Sequence, residues 1–117
     1  MIKNFRDLEI WQKGMEIVED VYKLTEKYPS KEQFGLKIQT QNSAVSIPSN
    51  IAEGFNRFYI KEYKRFLFIS LGSCGELETQ LEIAARLKYI AEFEKEIIIN
   101  KVVIESKMLN SLINKLK

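Results

Sequence analysis

Fifteen consecutive residues, Ile38 to Ala52, carry no charge in a chain where 29% of residues are Asp, Glu, Lys or Arg. The run is not simply apolar. Gln39, Thr40, Gln41, Asn42, Ser43, Ser46, Ser49 and Asn50 alternate with Ala44, Val45, Ile47 and Ile51. Helices that face water normally carry Lys and Glu. A neutral helix rich in small residues, hydroxyls and amides is expected where neighbours surround it and each polar group must find a partner.

The rest of the chain supplies those neighbours. Two prolines and five glycines in 117 residues leave long helical periodicities unbroken, and no stretch alternates as a strand would. The fold class is therefore all-α, in one domain spanning 1-117. Four helices are expected, at about 7-27, 31-55, 60-88 and 92-116. Short connections between them predict antiparallel packing, an up-down-up-down four-helix bundle.

The first helix carries two apolar rows. Leu8, Trp11, Met15, Val18, Tyr22 and Thr25 form one; Ile10, Gly14, Ile17, Val21, Leu24 and Tyr28 form the other. A lone bundle helix needs one stripe. The second stripe predicts a second packing partner, and Ile10, Ile17, Val21 and Leu24 are assigned to an interface with another subunit. Tyr28-Pro29 ends the helix, because the residue before proline disfavours helical geometry. Ser30 with Gln33 reads as a capping box opening the second helix. Pro48 predicts a kink near residues 44 to 48, eased by the small Ala44. Gly54 marks the end of that helix. In the third, Ser70, Gly72, Ser73 and Gly75 interrupt the apolar rows. Ala44, Gly72 and Gly75 are assigned to close packing between the second and third helices, offsetting the helical cost of glycine, about 1 kcal/mol each.

Composition removes several functions. No histidine is present, which excludes Ser-His-Asp and Cys-His catalysis and the usual His-containing zinc and dimetal sites. No metal and no cofactor is expected, and no Gly-rich phosphate loop occurs. Cys74 is the only cysteine, so no intrachain disulfide can form. A reducing cytoplasm suits it. No signal peptide is evident, and the most apolar run, Phe66 to Leu71, is far too short for a membrane span. Net charge is +2 and pI about 8.6, too mildly basic by themselves to announce nucleic-acid binding.

The order of residues carries a resemblance. Phe5-x-x-Leu8-x-x-Trp11 opens the chain, and Phe34-Gly35-Leu36 follows. Ser46-Ile47-x-Ser49-Asn50-Ile51-Ala52-Glu53-Gly54 is paired downstream with Gly72-Ser73-x-x-Glu76-Leu77. Over roughly residues 5 to 116 this resembles the 23S rRNA-intervening-sequence proteins, themselves similar to accessory proteins of diversity-generating retroelements. The resemblance implies an antiparallel four-helix bundle assembled as a ring-like homopentamer. It implies RNA or DNA and a reverse transcriptase as partners in the retroelement branch, and no catalytic residues. The chain departs from the pattern at Tyr59-Ile60, where many relatives carry a hydroxyl residue, and at Lys88, where many carry glycine.

Two constellations stand out. Ser46, Asn50, Glu53, Ser73 and Glu76 are the conspicuous polar residues of the matching segments. A carboxylate pair for acid-base or metal chemistry is one reading. A structural hydrogen-bond network that fixes helix register is the better one. Arg57, Lys61, Lys64 and Arg65 form the densest basic cluster, with Phe58 and Tyr59 among them. Lys61, Lys64 and Arg65 share one helix face, so they can bind phosphate together while rings stack on bases. Lys37 and Arg86 are added to this nucleic-acid-binding set. Lys101, Lys107, Lys115 and Lys117 read as solvated surface, and Trp11 as a packed anchor. The expected function is a non-enzymatic oligomeric nucleic-acid-binding or scaffolding protein; the alternative is a protein–protein adaptor without nucleic-acid contact.

Overall fold

The computed structural model describes residues 1–117, and the neutral run lies inside its second helix. The helices are α1 (Glu9–Thr25), α2 (Leu36–Phe55), α3 (Ile60–Arg86) and α4 (Glu92–Lys115), with no strand. Single 3-10 turns cover Phe5–Asp7 and Ser30–Glu32. The molecule measures 44 × 24 × 19 Å. Its long dimension is set by α3, whose 27 residues span about 40 Å at the helical rise. No helix is long and apolar enough to cross a membrane.

Each helix packs on the one before it in sequence, and α4 returns to α1. Thr25 meets Gln41 and Gly14 meets Ile47 between α1 and α2. Gly54 meets Phe66, and Ser46 meets Ser73, between α2 and α3. Lys27 pairs with Glu94, and Lys101 with Asp20, between α4 and α1.

The core takes one row from each helix. Ile17, Val21, Ile47, Ile51, Leu67, Leu77, Leu81, Val102 and Leu109 are buried essentially completely. Removing such a side chain from water contributes about 1.5–3 kcal/mol each. Ile10, Ile17, Val21 and Leu24 all belong to this core. They therefore cannot form the subunit interface assigned to them above. The other row of α1 is the open one: Leu8, Trp11 and Val18 are half-buried, and Met15 and Tyr22 are exposed. Gly14 decides which row turns inward. A Cβ there would lie 3.2 Å from Glu105 Oε2 and 3.3 Å from the Pro48 side chain, so only glycine lets α1 seat this closely. α2 runs unbroken through Pro48, which is buried against that glycine.

The second helix starts later than its expected capping box. Ser30 and Gln33 make no side-chain cap; residues Ser30–Glu32 form a separate turn and α2 begins at Leu36. Glu32 does the capping instead. Its carboxylate accepts the Leu36 N–H at 3.0 Å and the Tyr89 hydroxyl at 2.8 Å. Those two donors, the backbone one first, hold its pKa below the usual carboxylate value. Gly35 leaves room for this, since a Cβ would fall 2.8 Å from Glu32 Oε1.

α3 ends in a Schellman motif: the Tyr89 N–H reaches Ala84 O and the Lys88 N–H reaches Ala85 O. Lys88 takes the left-handed position with φ 67°. Two charged side chains of α4 are buried. Lys95 meets Glu82 at 2.9 Å, Glu96 at 3.1 Å and also Glu92, which raise its pKa. Glu105 is fully buried with neither oxygen hydrogen-bonded, and burial pushes its pKa up to about 8. Cys74 is buried as well, and burial pushes its thiol up to about 12, which leaves it inert near neutral pH.

Candidate nucleic-acid interface

The α2–α3 seam delivers the chain to its most basic region. Ser70 Oγ donates to Ile47 O at 2.9 Å, and the Ser73 hydroxyl lies 2.8 Å from that of Ser46. Asn50 Nδ2 donates to both Ser46 O and Ser46 Oγ at 2.8 Å. So Ser46, Asn50 and Ser73 are joined by hydrogen bonds. Glu53 and Glu76 are not joined to them. Glu53 turns out to Arg57 at 2.9 Å, while the exposed Glu76 borders a shallow polar groove with Gln39, Asn42, Ser43 and Gln80. Glu53 lies near the level of Phe66 and Glu76 near that of Ser43, so the two carboxylates do not form a pair. No group of three or more Cys, Asp and Glu residues is placed to hold a metal ion.

Close approach in this seam occurs at Gly54. A Cβ there would sit 2.8 Å from Phe66 Cβ and 3.1 Å from Tyr63 O. Gly72 and Gly75, expected to do this, are exposed, and a Cβ on either would meet nothing within 4 Å. They lie on the outer face of α3, roughly 100–160° around the helix from the buried Ser70, Ser73 and Cys74. Ala44 is buried as expected of a packing residue.

Beyond Gly54 the chain turns through Asn56–Tyr59 and enters α3. Lys61, Lys64 and Arg65 line one open cavity of about 600 Å³ with Ile60, Glu62, Phe68 and Lys117. Four cations thus converge against one carboxylate, and Arg65 engages that Glu62 at 3.4 Å. Lys61, Lys64 and Lys117 form no ion pair. Arg57 and Arg65 lie over the Phe66 ring, 4.8 and 4.6 Å from its centroid. Arg65, stacked and held by Glu62, lines the cavity; Arg57, held by Glu53, is not among its lining residues, and the lysines are the cavity's uncommitted charges.

Lys37 and Arg86 are elsewhere. Arg86 lies 22 residues along α3 from Lys64, about 33 Å at the helical rise, and Lys37 is at the far end of α2. Neither joins the patch. Sequence reasoning missed Phe68 and Lys117. Phe68 stands at the helical spacing that unites Lys61 and Lys64, so periodicity could have found it. Lys117 is brought in by the register of α4, which the sequence does not display.

The arrangement can bind phosphate. Lysines free of counter-ions, on a rigid helix face, release condensed counter-ions when they meet a polyanion. The positive set is small in one protomer.

A model of the family described as 23S rRNA-intervening sequence protein matches residues 6–111. Among solved structures, the chain is similar to a protein of unknown function from the S23 ribosomal protein family of Bacteroides thetaiotaomicron VPI-5482. The TM-score is 0.83 at 27% identity, covering 89% of this chain and 97% of that one. No curated protein matches. Four helices in this order, carrying the paired seam motifs and matched over nearly all their length, place the chain in the 23S rRNA-intervening sequence protein family.

Proposed function

We propose that the chain is a non-enzymatic, oligomeric nucleic-acid-binding or scaffolding protein of the cytoplasm, built as an antiparallel up-down-up-down bundle. One observation carries the reading: Lys61, Lys64, Arg65 and Lys117 converge on a cavity that holds a single carboxylate. Polyanion binding is the chemistry that such an unbalanced cluster serves.

A ring-like homopentamer multiplies the patch. A cyclic head-to-tail assembly needs two different faces on each protomer that complement one another. Two open apolar faces flank α1. On one side Trp11, Met15 and Val18 form a groove with Val45, Pro48 and Ala52. On the other, α4 exposes Phe93, Ile97 and Ile104. These faces replace the buried Ile10 row as the subunit interface. Repeating the basic cavity around a ring raises avidity without any new contact at a single site.

The test is a charge reversal of Lys61, Lys64 and Arg65 to Glu. Light scattering should report unchanged assembly, while RNA and DNA retained by the parent protein are lost. Retention of nucleic acid by the triple variant would remove this patch from the account. The same apolar faces favour a second reading, a protein–protein adaptor without nucleic-acid contact; the similarity to retroelement accessory proteins makes a reverse transcriptase the partner to try. Pull-down from lysate with and without nuclease separates the two: nuclease-insensitive partners with no co-purifying RNA or DNA support the adaptor.

A further inference from the structure

We infer that the basic cavity takes single-stranded nucleic acid with unstacked bases rather than duplex; the inference rests on the nucleic-acid reading above. Its ground is what surrounds the lysines. Phe58 is 90% exposed, Tyr59 67% and Phe68 53%; Phe68 lines the cavity that holds Lys61, Lys64, Arg65 and Lys117, and Phe58 and Tyr59 directly precede its first lining residue, Ile60, in the chain.

The neighbouring rings are already occupied. Phe66 lies under the Arg57 and Arg65 guanidinium groups. Tyr63 is half-buried and packs edge-on against Phe55, with 6.0 Å between centroids. Phe58 and Tyr59 pair with each other, edge to face at 4.9 Å and 90°, an arrangement that leaves ring surface in water. Phe68 lines the cavity itself.

A duplex would use only part of this surface. Its bases are stacked and paired, so it offers phosphates to the lysines and no ring faces to Phe58, Tyr59 or Phe68. A single strand offers both at once: phosphates track the cations while splayed bases stack on the rings. The far end of the bundle lacks the combination. Phe93 is exposed there and lines a groove with Lys23, Lys27 and Lys101, but Glu94 holds Lys27 and Asp20 holds Lys101, so only Lys23 is left uncommitted beside that ring. The stacking partner is any base, because each has a π-face, so little sequence preference follows.

The experiment is fluorescence anisotropy of the full chain with a labelled oligouridylate and with a labelled duplex of the same length, at one salt concentration. The single strand should bind about tenfold or more tightly than the duplex. Phe68→Ala and Phe58→Leu should each weaken single-strand binding about tenfold while leaving duplex binding unchanged. Lys64→Gln should weaken both. Phe58 is nearly all in water, so its substitution leaves folding intact; circular dichroism confirms this for each variant. Equal or tighter duplex binding, or ring variants that keep full single-strand affinity, would overturn the inference while leaving nucleic-acid binding standing. Binding of neither probe would overturn both, as would sedimentation with phosphatidylserine vesicles in place of any oligonucleotide.

Discussion

The α2–α3 seam and the α2–α3 turn are a few residues apart and built on opposite principles. In the buried seam the side chains are mostly small or apolar, the hydroxyls of Ser46, Ser70 and Ser73 find partners, Gln80 Oε1 alone is left without one at its edge, and Gly54 lets the helices touch. In the turn and the first coils of α3 the side chains are large, charged or aromatic. Lys61 and Lys64 have no counter-ion, and Phe58 and Tyr59 have no cover. A chain that can satisfy its polar groups so completely in one place has left another unsatisfied. The groups that it does not satisfy internally are the ones available to a partner.

Reversing the charges of Lys61, Lys64 and Arg65 gives the largest effect. Affinity for RNA should fall by about a hundredfold or more at physiological salt. The thermal midpoint should fall only slightly, because Lys61 and Lys64 are unpaired and Arg65 gives up one exposed pair with Glu62 and its place over Phe66. Reversing Lys37 and Arg86 at the other end is the matched control and should change affinity by less than about threefold. An equal loss from both variants would show a diffuse charge effect and erase the distinction between the turn and the rest of the surface.

Glu105 breaks the interior's rule, since it is buried and unsatisfied. Burial raises its folded pKa to about 8 from the ordinary carboxylate value of 4.5, so protonation favours the native state. The stability it permits is fully present below the unfolded pKa and is lost as pH rises through the window from 4.5 to about 8. Lys13 on α1 lowers the shift and Glu9 adds to it. Glu105→Gln should therefore be more stable than the parent by about 2–3 kcal/mol at pH 7, with the gap closing near pH 4.5. Urea titrations at the two pH values measure it. A gap independent of pH would mean that Glu105 is not held protonated.

The glycines sharpen the contrast at smaller scale. Gly54→Ala should cost about 1–3 kcal/mol through overpacking against Phe66 and Tyr63. Gly72→Ala and Gly75→Ala, with open space around them, should each stabilise the protomer by about 0.5–1 kcal/mol. If either weakens assembly in light scattering instead, the outer face of α3 is a subunit contact. Lys88→Gly, at its φ of 67°, should give the smallest gain, of the order of 1 kcal/mol or less in thermal melts.

Much of the helical layout was legible because length and period decide it. The starts of α3 at Ile60 and α4 at Glu92 lie at the expected places, but the sequence did not decide them, because no Gly or Pro marks the turn Tyr89-Ile90-Ala91. The start of α2 was not legible: Ser30 and Gln33 satisfy a local capping pattern, but Glu32 has a better use, bridging the Leu36 N–H and Tyr89 of a distant turn. The two rows of α1 are equally apolar on paper. Only the contact of Gly14 with Pro48 and Glu105 shows which one faces inward. Gly72 and Gly75 misled for a related reason: a glycine signals closeness only if its face of the helix is the packed one. At the candidate site, Lys61, Lys64 and Arg65 were found through helix spacing. Lys117 was missed because its place depends on tertiary register, and Lys37 and Arg86 were wrongly grouped with them because charge alone does not say which end of a helix pair a residue occupies.

The most direct test of the basic cavity is the salt dependence of binding to a labelled oligouridylate. With three or four cations engaged per protomer, the logarithm of affinity should fall against the logarithm of salt with a slope of about −2 to −3, and Lys61→Gln should reduce that slope by about 0.7. A slope near zero, or one that Lys61→Gln and Lys64→Gln both leave unchanged, would contradict the claim that these lysines meet phosphate.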